Sequence, residues 1–464
     1  MDKLSITTAR ALIDFAGKDG LAVGLAEQQL RGTVALHNML AEHNVAYLAD
    51  EVGMGKTYIA LGVVALMRRF QPALRVLYLL PKNNVRDKWR KDYRSVIDKN
   101  YLRHDCIVKG FVNEPAAPYR LCKSLADLMQ AVATDSARDF FICASAFSLH
   151  MGGTREELLT TLSQFRSQLP QAARQVEKLV ADLEQQSADS TELSDIKKRV
   201  KQCWAGALNA MLPQFDLVVV DEAHNYRRGL QSADRNQLLA TVLGTENQST
   251  LRAQRVLLLS ATPFDRDIKQ LQRQLKLFAK DTPLLMPEEA GWRQVHAALQ
   301  PFMVRRLNTL DLAGKAHTRN MYRTEHRSGQ GAEIQLGLKQ QLFAALLQKK
   351  VSESLNENHS GKFELGMLAS LESYLPAHKG KPVQFDGLEE QAGAAGDQER
   401  DVPDRNAVEV LVSSYQKNFH AFPPHPKMDQ IASRAAQSAL EGNKKQLIFV
   451  RRVASVGELK AKIE

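Results

Sequence analysis

Cysteine is scarce in this chain and shows no organisation. Cys106, Cys122, Cys143 and Cys203 are scattered through 464 residues without a C-x-x-C pair. That spacing speaks against a zinc site or a disulfide framework and fits a reducing, cytoplasmic compartment. Long apolar runs are missing too. Met1-Asp2-Lys3-Leu4-Ser5 opens no signal-peptide core, and no stretch approaches the length of a membrane span, so no membrane partner is expected. Acidic residues are in deficit, 52 against 62 Lys and Arg, and the net charge of +10 favours a polyanionic partner such as nucleic acid. In other respects, 44% hydrophobic and 25% charged residues describe an ordinary globular composition. The length suits about three domains.

A missing glycine marks the stretch around which the rest is organised. Leu48-Ala49-Asp50-Glu51-Val52-Gly53-Met54-Gly55-Lys56-Thr57 follows the apolar run Val45 to Leu48 and precedes an apolar-periodic segment from Tyr58 to Phe70. The order is strand, glycine loop, helix. Gly53 and Gly55, with Met54 between them, let the backbone curl so that N–H groups point at an anion, and the helix N-terminus adds its dipole. Lys56 is placed to reach the β- and γ-phosphates of a nucleotide, and the Thr57 hydroxyl to ligate Mg²⁺. The pattern G-x-x-x-x-G-K-[ST] is incomplete, because Asp50 stands where its first Gly belongs. Taken alone, the loop leaves an incidental glycine turn open.

The apolar runs Val45 to Leu48, Val76 to Leu80, Phe140 to Ala144, Leu217 to Val220 and Val256 to Leu259 are each bounded by polar or turn residues, with helical patterns between them. Continuous apolar runs of this length read as strands buried on both faces. Their alternation with helices predicts an α/β fold, a doubly wound parallel sheet with functional loops at the strands' C-terminal ends. Residues 1–44 read as a mainly helical segment, in which the amide of Gln29 is able to read an adenine edge. Residues 152–210 carry no strand signal and read as a charged helical hairpin. Residues 326–425 read as a helical part (Ile334 to Leu355) followed by a flexible linker at 387–397.

Two further motifs follow strands. Asp221-Glu222-Ala223-His224 succeeds Leu217 to Val220, and Ser260-Ala261-Thr262-Pro263 succeeds Val256 to Leu259. A carboxylate at the tip of a buried strand can hold Mg²⁺ opposite a phosphate loop, which is the role expected of Asp221. Glu222 is positioned to orient and deprotonate an attacking water. His224, Ser260 and Thr262 are read as the groups that couple phosphate state to neighbouring parts. The segment from Lys82 to Lys109 holds nine Lys and Arg against four Asp, and suits sequence-independent phosphate contacts.

G-x-G-K-T, D-E-A-H and S-A-T-P, in this order and each after an apolar strand, resemble motifs I, II and III of superfamily-two helicases. The wording of residues 48–57, with Asp50 in place, resembles the Swi/Snf-like branch. Within it the chain is similar to the bacterial group that includes the RNA-polymerase-recycling ATPase and helicase-like proteins of phage defence. Gln29-Leu30-Arg31-Gly32 resembles the adenine-side motif, and Leu80-Pro81-Lys82 with Trp89 resembles motif Ia. Ala144-Ser145 falls at motif Ib, and Phe302-Met303-Val304-Arg305-Arg306 resembles the arginine pair after motif III. The resemblance implies RecA-like lobes, with a first lobe at 45–325 and the beginning of a second at 426–464. It implies ATP and Mg²⁺ as cofactors, and catalytic Lys56, Asp221 and Glu222. It also implies nucleic-acid contacts from Lys82, Trp89 and Ser145, duplex DNA as substrate, and RNA polymerase or defence-system subunits as partners. The alternatives are a motor subunit of a restriction or phage-defence complex, and a non-hydrolysing ATP-binding scaffold. After the expected strand Gln446 to Val450 comes one helix, for which Ser455-Val456-Gly457-Glu458 reads as the capping box. Motifs V and VI, with their arginine finger, are not in the 464 residues, so the expectation is of a truncated piece that hydrolyses ATP slowly. His425-x-Lys427 begins a nuclease-like H-x-K-x-x-x-x-D, but Ala432 stands at the Asp position and excludes that reading.

Overall fold

A strand buried on both faces cannot alternate polar with apolar residues, and the chain solves this with near-continuous apolar runs, broken in β4 only at its first residue, the ion-paired Asp139. In the computed structural model the strands are β1 (Val45–Leu48), β2 (Val76–Leu80), β3 (Tyr119–Cys122), β4 (Asp139–Cys143), β5 (Leu217–Val220), β6 (Val256–Leu259) and β7 (Met303–Val304). Every residue of β1, β2, β4, β5 and β6 is buried. The seven form one sheet in the order β3-β4-β2-β5-β6-β1-β7, and all pairings are parallel. This is the RecA-like doubly wound α/β sheet.

The structure describes residues 1–17, 23–109, 119–134, 138–148, 155–168, 190–231, 234–246, 250–264, 267–278, 292–306, 309–312 and 315–318, then 334–356, 413–420, 425–442, 447–450 and 453–464, with a few single positions besides. Two compact units divide the chain, Met1–Arg323 and Thr324–Glu464.

In the first unit the helices include α1 (Ile6–Arg10), α2 (Val23–His43), α3 (Lys56–Phe70), α4 (Asn83–Ser95) and α5 (Leu125–Thr134), and α6 (Arg155–Gln168) and α7 (Ser190–Met211) fall in the segment expected to be helical. The core is continuous from α2 and α3 across β1, β2, β5 and β6 to Trp89 and Tyr93 of α4. Tyr78 and Phe141 stack across β2 and β4 at 4.2 Å. A buried ion pair pins the layers. Arg68 of α3 and Asp139 of β4 are 2% and 0% exposed, and meet at 2.9 Å, with the Tyr93 hydroxyl donating to the same carboxylate at 2.7 Å.

Several expectations need adjustment. The strand expected at Phe140 to Ala144 starts one residue earlier, and Ala144 opens a 3-10 turn instead. Neither edge strand was expected: β3 carries exposed Arg120, and β7 is two residues long. The charged segment at 152–210 packs at its ends, where Leu158, Leu162, Val200 and Leu208 are buried. Its middle, including Leu183, and the linker at 387–397 lie outside the described residues. In the second unit, Leu447 to Val450 joins no ladder among the described residues. Ile448 and Val450 pack on Met428, Ala432 and Leu459, while Leu447 and Phe449 face outward. The last helix begins at Val453, so Ser455 lies fully buried inside its first turn and is not the cap.

Candidate active site

Parallel strands bring all their C-terminal ends to one edge, and here three adjacent ones, β5, β6 and β1, deliver the expected motifs together. The loops depart from a shared ladder: Ser260 N–H donates to Leu48 O at 3.1 Å, and Asp221 N–H to Leu79 O at 3.0 Å.

After β1 the chain turns through Gly53 and Gly55, at φ 91° and 78°, into α3, for which Gly55 is the N-cap. That left-handed conformation is nearly free only to glycine. At Gly55 a Cβ would also collide with the Gln29 amide. Lys56, the first residue of α3, turns its ammonium onto the loop, where it donates to the carbonyls of Asp50 and Glu51 at 3.1 Å each. Burial lowers the Lys56 pKa, and the facing carboxylates of Glu222, Asp50 and Asp221 offset part of that cost. Thr57 follows on the first turn of α3 and is half-buried. Gln29 is 5% exposed, and its amide donates to Met54 O at 3.1 Å. One N–H of its amide is thus engaged with the loop.

At the end of β5, burial pushes the Asp221 carboxyl up to about 6, opposed by the hydrogen bond from Trp89. Its Oδ1 accepts the Glu222 N–H at 3.0 Å and its Oδ2 the Trp89 indole N–H at 2.8 Å. Glu222 is held at φ 52°, ψ 50°. A left-handed non-glycine residue of this kind costs about 1–3 kcal/mol and persists where surrounding structure enforces it. The His224 ring, 3.2 Å away, holds the Glu222 carboxyl below its usual range by hydrogen bonding. The same His224 Nδ1 is 2.9 Å from Ser260 Oγ, which in turn accepts the Thr262 N–H at 3.1 Å. A continuous chain of contacts therefore runs from the acidic pair to the Ser260 turn.

Two residues behind that turn were not anticipated. Gln274 is fully buried; its amide donates to Pro263 O at 2.6 Å and accepts from the Tyr47 hydroxyl at 2.8 Å. As one of three glutamines (Gln270, Gln272 and Gln274) in the charged helix Lys269–Phe278, it gives no sequence signal of this.

The expected nucleic-acid residues divide. Lys82 and Ser145, both half-buried, follow the ends of the paired strands β2 and β4, on the same sheet edge as the site. Trp89 is a correction. It is 1% exposed, with its ring in the core 5.8 Å from Tyr78 and its N–H on Asp221, and presents no face for a base to stack on. Arg86 likewise points inward, donating to Cys122 O at 3.1 Å.

Residues 23–265 match the family described as the type III restriction enzyme, res subunit. The chain belongs to this family. The matched span runs from the start of α2 to just past the Ser260 turn, so the res-subunit match contains every residue of the loop, the acidic pair and the turn. It agrees with the superfamily-two motifs and makes the first unit a helicase-like ATPase domain. Two solved structures from Sulfolobus solfataricus are also similar. The SWI2/SNF2 ATPase core in complex with dsDNA is 11% identical, with a TM-score of 0.38 over 94% of this chain and 77% of its own. The SWI2/SNF2 ATPase core domain is 11% identical, with a TM-score of 0.38 over 91% and 73%. No curated protein matches the chain in sequence. Among the described residues no helix is long and apolar enough to cross a membrane.

Proposed function

We propose that the chain is the ATP-hydrolysing part of a nucleic-acid motor that translocates on duplex DNA in the cytoplasm and remodels bound protein. The observation that carries this is the convergence of Lys56, Asp221, Glu222 and the His224–Ser260 contact on one edge of a parallel sheet. ATP with Mg²⁺ fits the groups present: glycines in the left-handed conformation, a lysine whose ammonium rests on two loop carbonyls, and a carboxylate opposite. The cation would be held by Thr57 and Asp221, and would neutralise charge on the transferred phosphate. Gly53, Met54 and Gly55 would cradle phosphates through backbone N–H groups, with Gln29 beside them. Lys56 would leave its two carbonyls for the terminal phosphates. Glu222, whose carboxyl lies 3.2 Å from the His224 ring, would orient and deprotonate the attacking water. His224, Ser260 and Thr262 would carry the change to the turn that Gln274 holds. Lys82 and Ser145 would meet the DNA backbone.

A second reading is favoured by the family match: the same motor serving as a subunit of a restriction or phage-defence complex. RNA polymerase is the partner that the first reading favours. The test is Glu222→Gln. It should retain binding of Mg²⁺·ATP while duplex-DNA-dependent hydrolysis disappears. A variant that hydrolyses like wild type removes Glu222 from the chemistry. Loss of binding and hydrolysis together would make its role structural.

A further inference from the structure

Asp50 breaks the phosphate-loop pattern, and a carboxylate with 0% exposure needs a reason to be there. An unpaired buried charge is among the costliest features a fold can carry. The partner is Arg306, 256 residues away and just beyond β7. Its backbone N–H donates to Asp50 Oδ1 at 2.8 Å, and its Nε reaches Oδ1 and Oδ2 at 3.2 and 3.1 Å. Nη2 closes the fork on Oδ2. The remaining arm, Nη1, donates to the carbonyl of Gln28, the residue before Gln29. Helix α2 leaves room for this by having no side chain at Gly32, where a Cβ would lie 2.7 Å from the guanidinium. Backbone bonds continue the β1–β7 pairing into the loop, with Ala49 N–H on Val304 O at 2.7 Å and Glu51 N–H on Arg306 O at 3.2 Å. Four pieces are thus tied together through the Asp50–Arg306 pair: the base of the loop, α2 through Gln28 O, the chain just past β7 and, through the Asp50 carbonyl, Lys56.

We propose that Asp50 and Arg306 are a positioning pair for nucleotide binding, which anchors the leading end of the loop to α2 and β7 and keeps the Gly53–Gly55 arc in its phosphate-receiving shape. This rests on the reading of the loop as an ATP site. Neither residue touches phosphate. A bidentate guanidinium–carboxylate fork fixes direction as well as distance, which a lysine or a neutral amide does not. The consequence is counter-intuitive: Asp50→Gly, which restores the generic G-x-x-x-x-G-K-T pattern, damages the site.

The test measures affinity of the full chain for a fluorescent ATP analogue with Mg²⁺, alongside the melting temperature. Asp50→Gly and Arg306→Gln should each weaken binding by roughly ten- to a hundredfold, the scale of charge-assisted hydrogen bonds lost. The double variant should be little worse than either single, because both remove one interaction. Arg306→Lys should fall between wild type and Arg306→Gln. Arg305→Gln, at the exposed neighbour, should leave affinity unchanged. A purely structural pair would lower the melting temperature while folded protein bound the analogue as before, and that result overturns the proposal. So does an Asp50→Gly variant that binds as tightly as wild type. A wild-type chain that binds no nucleotide would overturn the ATP reading itself, and the pair's role with it.

Discussion

Replacing Trp89 with Phe separates two roles that its place in the sequence confuses. The indole N–H is 2.8 Å from Asp221 Oδ2, and the other carboxylate oxygen already has its donor in the Glu222 N–H. Phenylalanine keeps an aromatic ring against Tyr78 but removes the donor. A hydrogen bond to a charged group is worth about 1.5–3 kcal/mol, and at 1.36 kcal/mol per decade this is roughly ten- to a hundredfold. That loss should fall on the orientation of the Asp221 carboxylate. Trp89→Phe is therefore expected to raise the Mg²⁺ concentration for half-maximal ATP hydrolysis, or to lower the maximal rate, by that factor. Fluorescence anisotropy with labelled duplex DNA in the absence of nucleotide should be unchanged, since the side chain is 1% exposed. The opposite pattern would refute the reasoning: a Mg²⁺ requirement within about twofold of wild type together with clear loss of DNA affinity. That pattern would mean that the ring leaves the core to stack on a base.

Two further perturbations probe the scaffold. Arg68→Met strands the fully buried Asp139 carboxylate, and should cost about 3–5 kcal/mol of stability, while Arg68→Met with Asp139→Leu should recover much of it. Denaturant titration followed by circular dichroism measures both, and a single variant as stable as wild type would show that the pair contributes nothing. His37 is 1% exposed, and burial depresses its pKa below 6.5. As pH falls through 6.5 the unfolded chain takes up this proton before the folded one, so stability declines from there down to the depressed folded value. His37→Gln should shrink the loss of stability between about pH 7.5 and about pH 5, and Asp221, common to both proteins, drops out of the difference. An unchanged loss in the variant would exclude His37 as a contributor.

How much of this was legible depended on whether the determining contacts are local. β1, β2, β5 and β6 announce themselves because burial on both faces leaves no polar position inside the run. The loop, the acidic pair and the Ser260 turn follow, since parallel strands carry whatever succeeds them to one edge. β3 was hidden because an edge strand tolerates Arg120 facing solvent, and β7 because two residues have no periodicity. Leu447 to Val450 is apolar throughout and sets only Ile448 and Val450 against Met428, Ala432 and Leu459, and an apolar run does not specify a hydrogen-bonded neighbour. For Trp89 the signal was present and outweighed. Arg86, Trp89 and Tyr93 recur at i, i+3 and i+7, the spacing of a helix's buried face, within a segment whose charge drew attention outward.

Asp50 is the harder case, because its meaning is set 256 residues away. A charged residue where a loop pattern calls for glycine can be a defect, a change of ligand, or one end of a tertiary contact, and nothing within ten residues distinguishes these. Burial does. A carboxylate aimed at phosphate would repel it, and one left without a partner at 0% exposure would cost more than most single contacts return. Only a dedicated cation makes the residue affordable, and that cation must arrive from an element adjacent to β1. The sheet order leaves two such neighbours, β6 and β7. β6 is followed by Ser260, which is engaged with His224 and Thr262, whereas β7 runs directly into Arg305 and Arg306. Of those two, the exposed Arg305 faces away, and Arg306 closes on the loop.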